Sequence, residues 1–218
     1  MKIPSSWTFK TDEIATQFDA HVREQLPWYD LATSAVAHFA KHFIPKDGVI
    51  YDVGASTGNI ARALEEILVA RNATLIPIEE SPEMAKKYYG PGKENLIVQD
   101  VISCKIVEYD VAICFLTVMF MSPAVRYAWL EEFFAKCKTG GALIVVDKVE
   151  SEKGYIGTAF SRLTLSEKIK ANVSKDEIID KELSLAGIQR PIEPKRLPGE
   201  PVEFFRFADF IGWVIEKK

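Results

Sequence analysis

The residues of this chain best suited to chemistry lie in the run Val49-Ile50-Tyr51-Asp52-Val53-Gly54-Ala55-Ser56-Thr57-Gly58-Asn59-Ile60-Ala61-Arg62-Ala63-Leu64. An apolar strand leads through Asp52 to a turn of glycines and small polar residues, and an amphipathic helix follows. Glycine in such a turn allows left-handed dihedrals and a close approach of backbone to ligand. The free N–H groups of the helix start favour a negative group nearby. A dinucleotide fingerprint beginning at Gly54 needs glycine at 56 and 59, where the chain has Ser56 and Asn59. The pattern present is D-x-G-x-S-x-G, which argues against a nicotinamide dehydrogenase.

Three carboxylates complete the constellation. Asp52 ends one strand, Glu79 ends the next, and Asp100 follows a third. Glu79 lies 25 residues beyond Gly54, close to the roughly 20 expected of an acidic residue that grips ribose hydroxyls. A carboxylate can accept from both hydroxyls at once, and Asp100 is placed to accept from an adenine amino group. Any one of these side chains alone is equally well read as a turn residue or a helix cap. All three at successive strand ends, beside the glycine turn, point to a nucleoside ligand.

These side chains need a scaffold that brings strand ends together. Helices are expected over 12–25 and from Tyr29 to Phe43, broken by Pro27 and ended before Pro45. Apolar strand candidates then alternate with helices: strands 49–53, 73–78, 95–98, 110–116 and 142–147, helices 58–70, 82–89 and 123–137. Strands apolar throughout and separated by amphipathic helices imply a parallel sheet covered on both faces. Gly140-Gly141 reads as the stop of the last of these helices. Residues 151–190 read as helical and polar, with Ser174 as an N-cap and Asp176 and Glu177 in the first turn. Four prolines between 191 and 201 mark an irregular connection, and aromatic-rich strands at 203–207 and 210–216 form a terminal hairpin. The expectation is one α/β domain spanning 1–218, with an N-terminal helical lid (1–45) and a helical cap insertion and connection (151–200).

Composition narrows the class. At 218 residues the chain fits one domain with a substantial core. A net charge of -4 argues against a globally basic surface for nucleic acid. Within 151–200 nine basic residues face eight acidic ones, a balance that gives no electrostatic footprint for a polynucleotide. A local basic patch is not excluded by that count. No apolar run approaches the roughly 20 residues of a membrane span, and Met1–Trp7 lacks a signal-peptide core. Cys104, Cys114 and Cys137 are too few and too scattered for a zinc site or a disulfide framework. A reduced, cytoplasmic protein is expected.

The D-x-G-x-S-x-G turn resembles the first motif of class I methyltransferases, which hold S-adenosylmethionine (SAM). Further runs resemble the carboxy-SAM synthase family and its SAM-dependent methyltransferase relatives. These are Trp7-Thr8-Phe9, then Phe18, Val22 and Leu26-Pro27-Trp28-Tyr29, then Ile78-Glu79-Glu80-Ser81-Pro82-Glu83-Met84, Gln99-Asp100-Val101, and Gly140-Gly141-Ala142-Leu143 leading to Lys148. The resemblance covers about residues 7–150 and fades in the insertion. It implies a Rossmann-like class I methyltransferase fold with a mostly parallel seven-stranded sheet, a homodimer, and a SAM-type ligand touching Tyr29, Gly54, Ser56, Glu79 and Asp100. With that ligand, Asp52 is placed to engage the cationic amino group of its methionine end. Ala55, Gly58, Glu80, Val101 and Phe115 complete the expected cofactor-binding set.

Two departures bear on the chemistry. The family's arginine that pairs with the added carboxylate aligns with Glu182, which would repel that group. The family's asparagine after the fourth strand falls on Phe115. Both argue against carboxy-SAM synthesis unless Arg162, Arg190 or Arg196 substitutes. Elsewhere, His38 and His42 share a helix face at i and i+4, but no H-E-x-x-H pattern or third ligand accompanies them, and no metal is expected. His21 could line the pocket, and reads more simply as an amphipathic-helix residue. The strip Phe204-Phe205-Arg206-Phe207 with Phe210 and Trp213 reads as core packing rather than base stacking. No DNA-methyltransferase [DN]-P-P-[YF] motif follows the fourth strand, and Cys114 lacks the context of a nucleophile.

The favoured reading is a SAM-dependent methyltransferase acting on a small-molecule acceptor that the residues do not identify, with no catalytic side chain assigned. Its rivals are a carboxy-SAM synthase-like enzyme and a non-catalytic SAM-binding protein.

Overall fold

The computed structural model describes residues 3–218. Helices α1 (Asp12–Gln25) and α2 (Tyr29–Phe43) precede the sheet. The alternating region then runs β1 (Val49–Val53), α3 (Asn59–Arg71), β2 (Thr74–Glu79), α4 (Pro82–Lys87), β3 (Ile97–Val98), β4 (Tyr109–Phe115), α5 (Arg126–Ala135) and β5 (Cys137–Lys148). The insertion contributes α6 (Tyr155–Lys170) and α7 (Lys175–Ser184), and the chain closes with β6 (Val202–Phe207) and β7 (Phe210–Glu216). All seven strands form one sheet in the order β3-β2-β1-β4-β5-β7-β6. Strands β1 to β5 pair in parallel, whereas β7 runs antiparallel to β5 and to β6.

Side chains alternate between the two faces of a strand, and that alternation divides the core. Tyr51, Val53, Tyr109, Leu143 and Val145 pack with Trp129 and Phe133 of α5 on one face. Ile50, Val111, Ile113, Ile144 and Val146 pack with Val36 and Ala40 of α2 and Ile60 and Leu64 of α3 on the other. The β4 strand is buried along its whole length, which explains its near-continuous apolar sequence. The aromatic strip also packs: Phe204 lies 4.6 Å from Phe39, and Trp28 lies 5.4 Å from Phe205 and 4.8 Å from Phe210, between ring centres.

The sequence reading misplaces one punctuation mark. Gly140-Gly141 does not stop a helix, because α5 ends at Ala135 and the two glycines lie inside β5. The pairing register shifts between Tyr109 and Val111, opposite this point. A Cβ on Gly141 would sit 2.2 Å from the Asp110 carbonyl oxygen, so the close strand approach admits no side chain. The β3 strand is shorter than expected, because a short 3-10 turn over Lys93–Asn95 occupies its first part.

Two features place a site. The strand order reverses between β1 and β4, and in open α/β sheets the crevice beyond the strand carboxyl ends at such a point receives ligands. Over that crevice lie α1 and α2 from one end of the chain and α7 from the insertion. The Trp7 N–H donates to the Ser184 carbonyl at 2.9 Å, tying the N-terminal segment to the end of α7. The Ser174 hydroxyl accepts from the Glu177 N–H at 3.1 Å and starts α7, as the sequence predicts.

Candidate ligand-binding cavity

A cavity of about 370 Å³ opens at the carboxyl ends of β1, β2 and β4. Its floor is the glycine turn. Gly54 has φ +73°, and a Cβ there would lie 2.5 Å from the Thr117 hydroxyl oxygen, so the left-handed turn and the neighbouring loop both require glycine. Ser56 also adopts positive φ, at 52°. Gly54 and Ala55 donate their N–H groups to the Ile78 carbonyl at 2.8 and 2.9 Å, which draws the turn against β2.

The acidic side chains meet at this floor. Glu79 is 8% exposed, and its two oxygens accept from the Ser56 and Ser81 N–H groups, each at 2.8 Å. Burial raises its pKa, and these backbone donors oppose the rise. Asp52 is 1% exposed and its Oδ2 has no hydrogen-bond partner among the described residues. Burial, then the Glu79 charge, pushes its carboxyl up to about 7. Asp100 accepts from the Ile102 N–H at 3.0 Å and caps the 3-10 turn that carries Val101. The Ser56 hydroxyl likewise lacks a partner among the described residues. Polar atoms buried without partners are costly, so these two mark places where a ligand is expected to donate or accept.

Of the sequence-expected residues, Tyr29, Asp52, Gly54, Ala55, Ser56, Glu79, Glu80, Asp100, Val101 and Phe115 all line the cavity. Gly58 does not. It starts α3 with φ +89° and packs toward Tyr88 and Tyr89, so its constraint is steric. Tyr29 and Phe115 meet edge to face at 5.2 Å and form one wall. Glu80 pairs with Lys10 at the exposed rim. A hydrogen-bond network holds α1 and α2 to the turn: Thr57 donates to Asp19, Arg23 donates to Asn59 at 3.1 Å, and Asn59 donates to Thr33 at 2.9 Å.

The roof comes from α1, the N-terminal segment and α7. Trp7, Phe9, Phe18 and Phe120 give it an aromatic character, and His21, Gln25, Lys181 and Gln189 add polar atoms. Burial, then the Lys181 charge, lowers the His21 pKa to about 3, so the ring is neutral. Lys181 is the cavity's one lysine or arginine among the described residues. It is 8% exposed, its ammonium lies over the Trp7 ring, and burial followed by Lys168 lowers its pKa to about 6. Glu182 faces elsewhere: it pairs with Lys168 at 3.1 Å and does not line the cavity. The expectation of an acidic side chain facing the ligand there is therefore corrected, since the helix turns Lys181 inward and Glu182 away. Arg162, Arg190 and Arg196 are also absent from the cavity wall. Sequence reasoning missed Lys181, for which no motif offered a signal. His38 and His42 are exposed neighbours on α2, with ring centres 5.0 Å apart.

No family model matches the sequence. A carboxy-SAM synthase of Staphylococcus epidermidis is 27% identical over 196 residues, which cover 88% of this chain and 86% of that protein. Human N-acetylserotonin methyltransferase, solved with SAM, superposes with a TM-score of 0.59 at 14% identity. That match takes in 96% of this chain, which spans only 57% of the human protein. The plantazolicin methyltransferase, solved with S-adenosylhomocysteine, superposes with a TM-score of 0.54 at 14% identity, covering 94% of this chain and 90% of the other. The chain thus has the class I SAM-dependent methyltransferase fold, and its sequence is similar to the carboxy-SAM synthases over most of its length.

Proposed function

We propose that the cavity binds SAM and that the protein transfers its methyl group to a small-molecule acceptor. The observation that carries this reading is the unpartnered Asp52 Oδ2 beside the glycine turn, with the backbone-anchored Glu79 at the next strand end. Glu79 keeps one lone pair on each oxygen for the ribose hydroxyls, and Asp100 is available to an adenine amino group. Asp52 faces a cationic amino group, for which a buried carboxylate is a fitting partner. Gly54, Ala55 and Ser56 give the backbone approach, and Tyr29, Glu80, Val101 and Phe115 complete the walls. When bound, SAM supplies an electrophilic methyl on its sulfonium. The chain's own part is to orient reactants and exclude water, which suffices for much of an in-line displacement. The enclosed aromatic roof supports a small acceptor over a polynucleotide. Titration calorimetry with SAM tests the reading: micromolar binding is expected, and folded protein that does not bind overturns it.

A second reading, carboxy-SAM formation, is favoured by the sequence relatives and by Lys181, a basic side chain on the cavity wall whose protonated form a bound carboxylate would favour. Mass spectrometry of the ligand that co-purifies from cells separates the two, since carboxy-SAM would defeat the methyl-transfer reading. Folded protein that binds SAM yet turns over no acceptor pool would favour a non-catalytic role.

The chain reads as one functional unit, in which 1–45 acts as lid and 151–200 as cap. Helix α6 buries only Gly157 and Lys168, and exposes Tyr155, Ile156, Leu165 and Ile169. Such an apolar patch supports a homodimer through the cap. The three free cysteines are consistent with a cytoplasmic location, and no helix among the described residues is long and apolar enough to cross a membrane.

A further inference from the structure

We infer that His21, Glu24 and Glu177 form a site for one divalent transition-metal cation, joining α1 of the lid to α7 of the cap at the edge of the cavity. One ligand atom from each residue lies within 4.8 Å of the other two. His21 and Glu24 stand three residues apart on α1, so they share a helix face. Glu177 comes from the first turn of α7, where the Ser174 cap holds its backbone.

His21 is 4% exposed, and neither ring nitrogen has a hydrogen-bond partner among the described residues. Its Nδ1 points toward the Glu177 carboxylate at 3.5 Å, too far for a good hydrogen bond. An imidazole buried with both nitrogens unsatisfied is expensive, and a cation between it and the two carboxylates would take up the Nδ1 lone pair. Gln25 lies alongside, donating to Glu177 at 3.2 Å, while its own Oε1 is buried without a partner among the described residues. Acceptors therefore outnumber donors at this junction.

Among the described residues, neither lysine beside this junction fills the gap. Lys181 lies one turn beyond Glu177 on α7, but its ammonium sits over the Trp7 ring and forms no ion pair with Glu177 among the described residues. Lys168 is taken by Glu182. One imidazole with two carboxylates suits manganese, iron, cobalt or zinc better than calcium or magnesium. Ligand atoms of a four-coordinate site stand about 3.4 Å apart, from bond lengths near 2.1 Å, so the group must draw inward. Glu24, which is exposed, is free to make that movement.

The test is titration of chelator-treated full-length protein with manganese, followed by electron paramagnetic resonance and by calorimetry. One equivalent is expected to bind. Glu24→Gln, which alters an exposed side chain off the cavity wall, should weaken binding by at least roughly tenfold, as should His21→Ala. Absence of binding by the folded wild type, or unchanged binding in both variants, overturns the site. A SAM titration of the same metal-free sample is read separately, so failure of the metal site and failure of the SAM reading are distinct results.

Discussion

Glu79, at the end of β2, holds the glycine turn in place by accepting the Ser56 N–H at 2.8 Å. A single carboxylate therefore shapes the turn through one oxygen and the following loop through the other, at Ser81. The group expected to grip a ribose is also the group that builds the floor beneath it.

Glu79→Gln replaces one acceptor oxygen with an amide donor that opposes a backbone N–H. Calorimetry should show SAM affinity reduced by about 10- to 100-fold, the range for losing a hydrogen bond to a charged group. Far-ultraviolet circular dichroism should remain native. Unchanged affinity would remove Glu79 from the site.

Asp52 has a native pKa of about 7, well above its ordinary value of 3.8, because of burial. Folding therefore takes up a proton at pH values between these two, and this contribution to stability is lost as pH rises toward 7. Between pH 5 and 8 the ligand-free wild type should lose about 3 kcal/mol relative to Asp52→Asn, measured by denaturant unfolding. If a cationic ligand group engages ionised Asp52, SAM affinity should rise about tenfold from pH 6 to 8 in the wild type and much less in the variant.

Gly54→Ala places a methyl 2.5 Å from the Thr117 hydroxyl oxygen at φ +73°. The expected destabilisation is about 1–3 kcal/mol. Adding Thr117→Ala removes the two nearest atoms, so the double variant should be less destabilised than the sum of the singles. A double-mutant cycle in urea measures that coupling, and strict additivity would refute the contact.

Lys181→Met removes the one lysine on the cavity wall among the described residues while preserving most of the side-chain stem. SAM affinity should change by less than about threefold, because the acidic floor lies on other elements. If co-purified carboxy-SAM is found in the wild type, it should be lost from this variant. Retention of a carboxylated ligand without Lys181 would show that another group holds it.

Ile169 is half exposed on α6. Light scattering after size exclusion should give a dimer for the wild type and a monomer for Ile169→Glu, since a charge in an apolar interface is left unpaired. A wild-type monomer at high concentration would end the dimer reading.

Much of the architecture was readable from periodicity. The ranges of α1 and α2 and the cores of β1, β4 and β7 follow from apolar runs bounded by Pro27, Pro45 and the glycine turn. Such runs report burial directly, because a parallel strand covered on both faces must be apolar throughout. Gly140-Gly141 misled because glycine serves equally a helix stop and a close strand crossing, and the deciding contact, the Asp110 carbonyl, is about thirty residues away.

The acidic floor was legible because its members recur at strand ends, and strand ends converge in any parallel sheet. From the residues alone came the fold class, the glycine turn and the three carboxylates. The inward-facing side chains of the roof were not legible. Which of Lys181 and Glu182 faces the cavity depends on the rotation of α7, set by its packing against Trp7 and α1, and adjacent helix positions point about 100° apart. The same packing brings His21 and Glu24 against Glu177 across more than 150 residues of chain. Local pattern encodes what a segment buries, whereas the juxtaposition of distant helices emerges only when their faces meet.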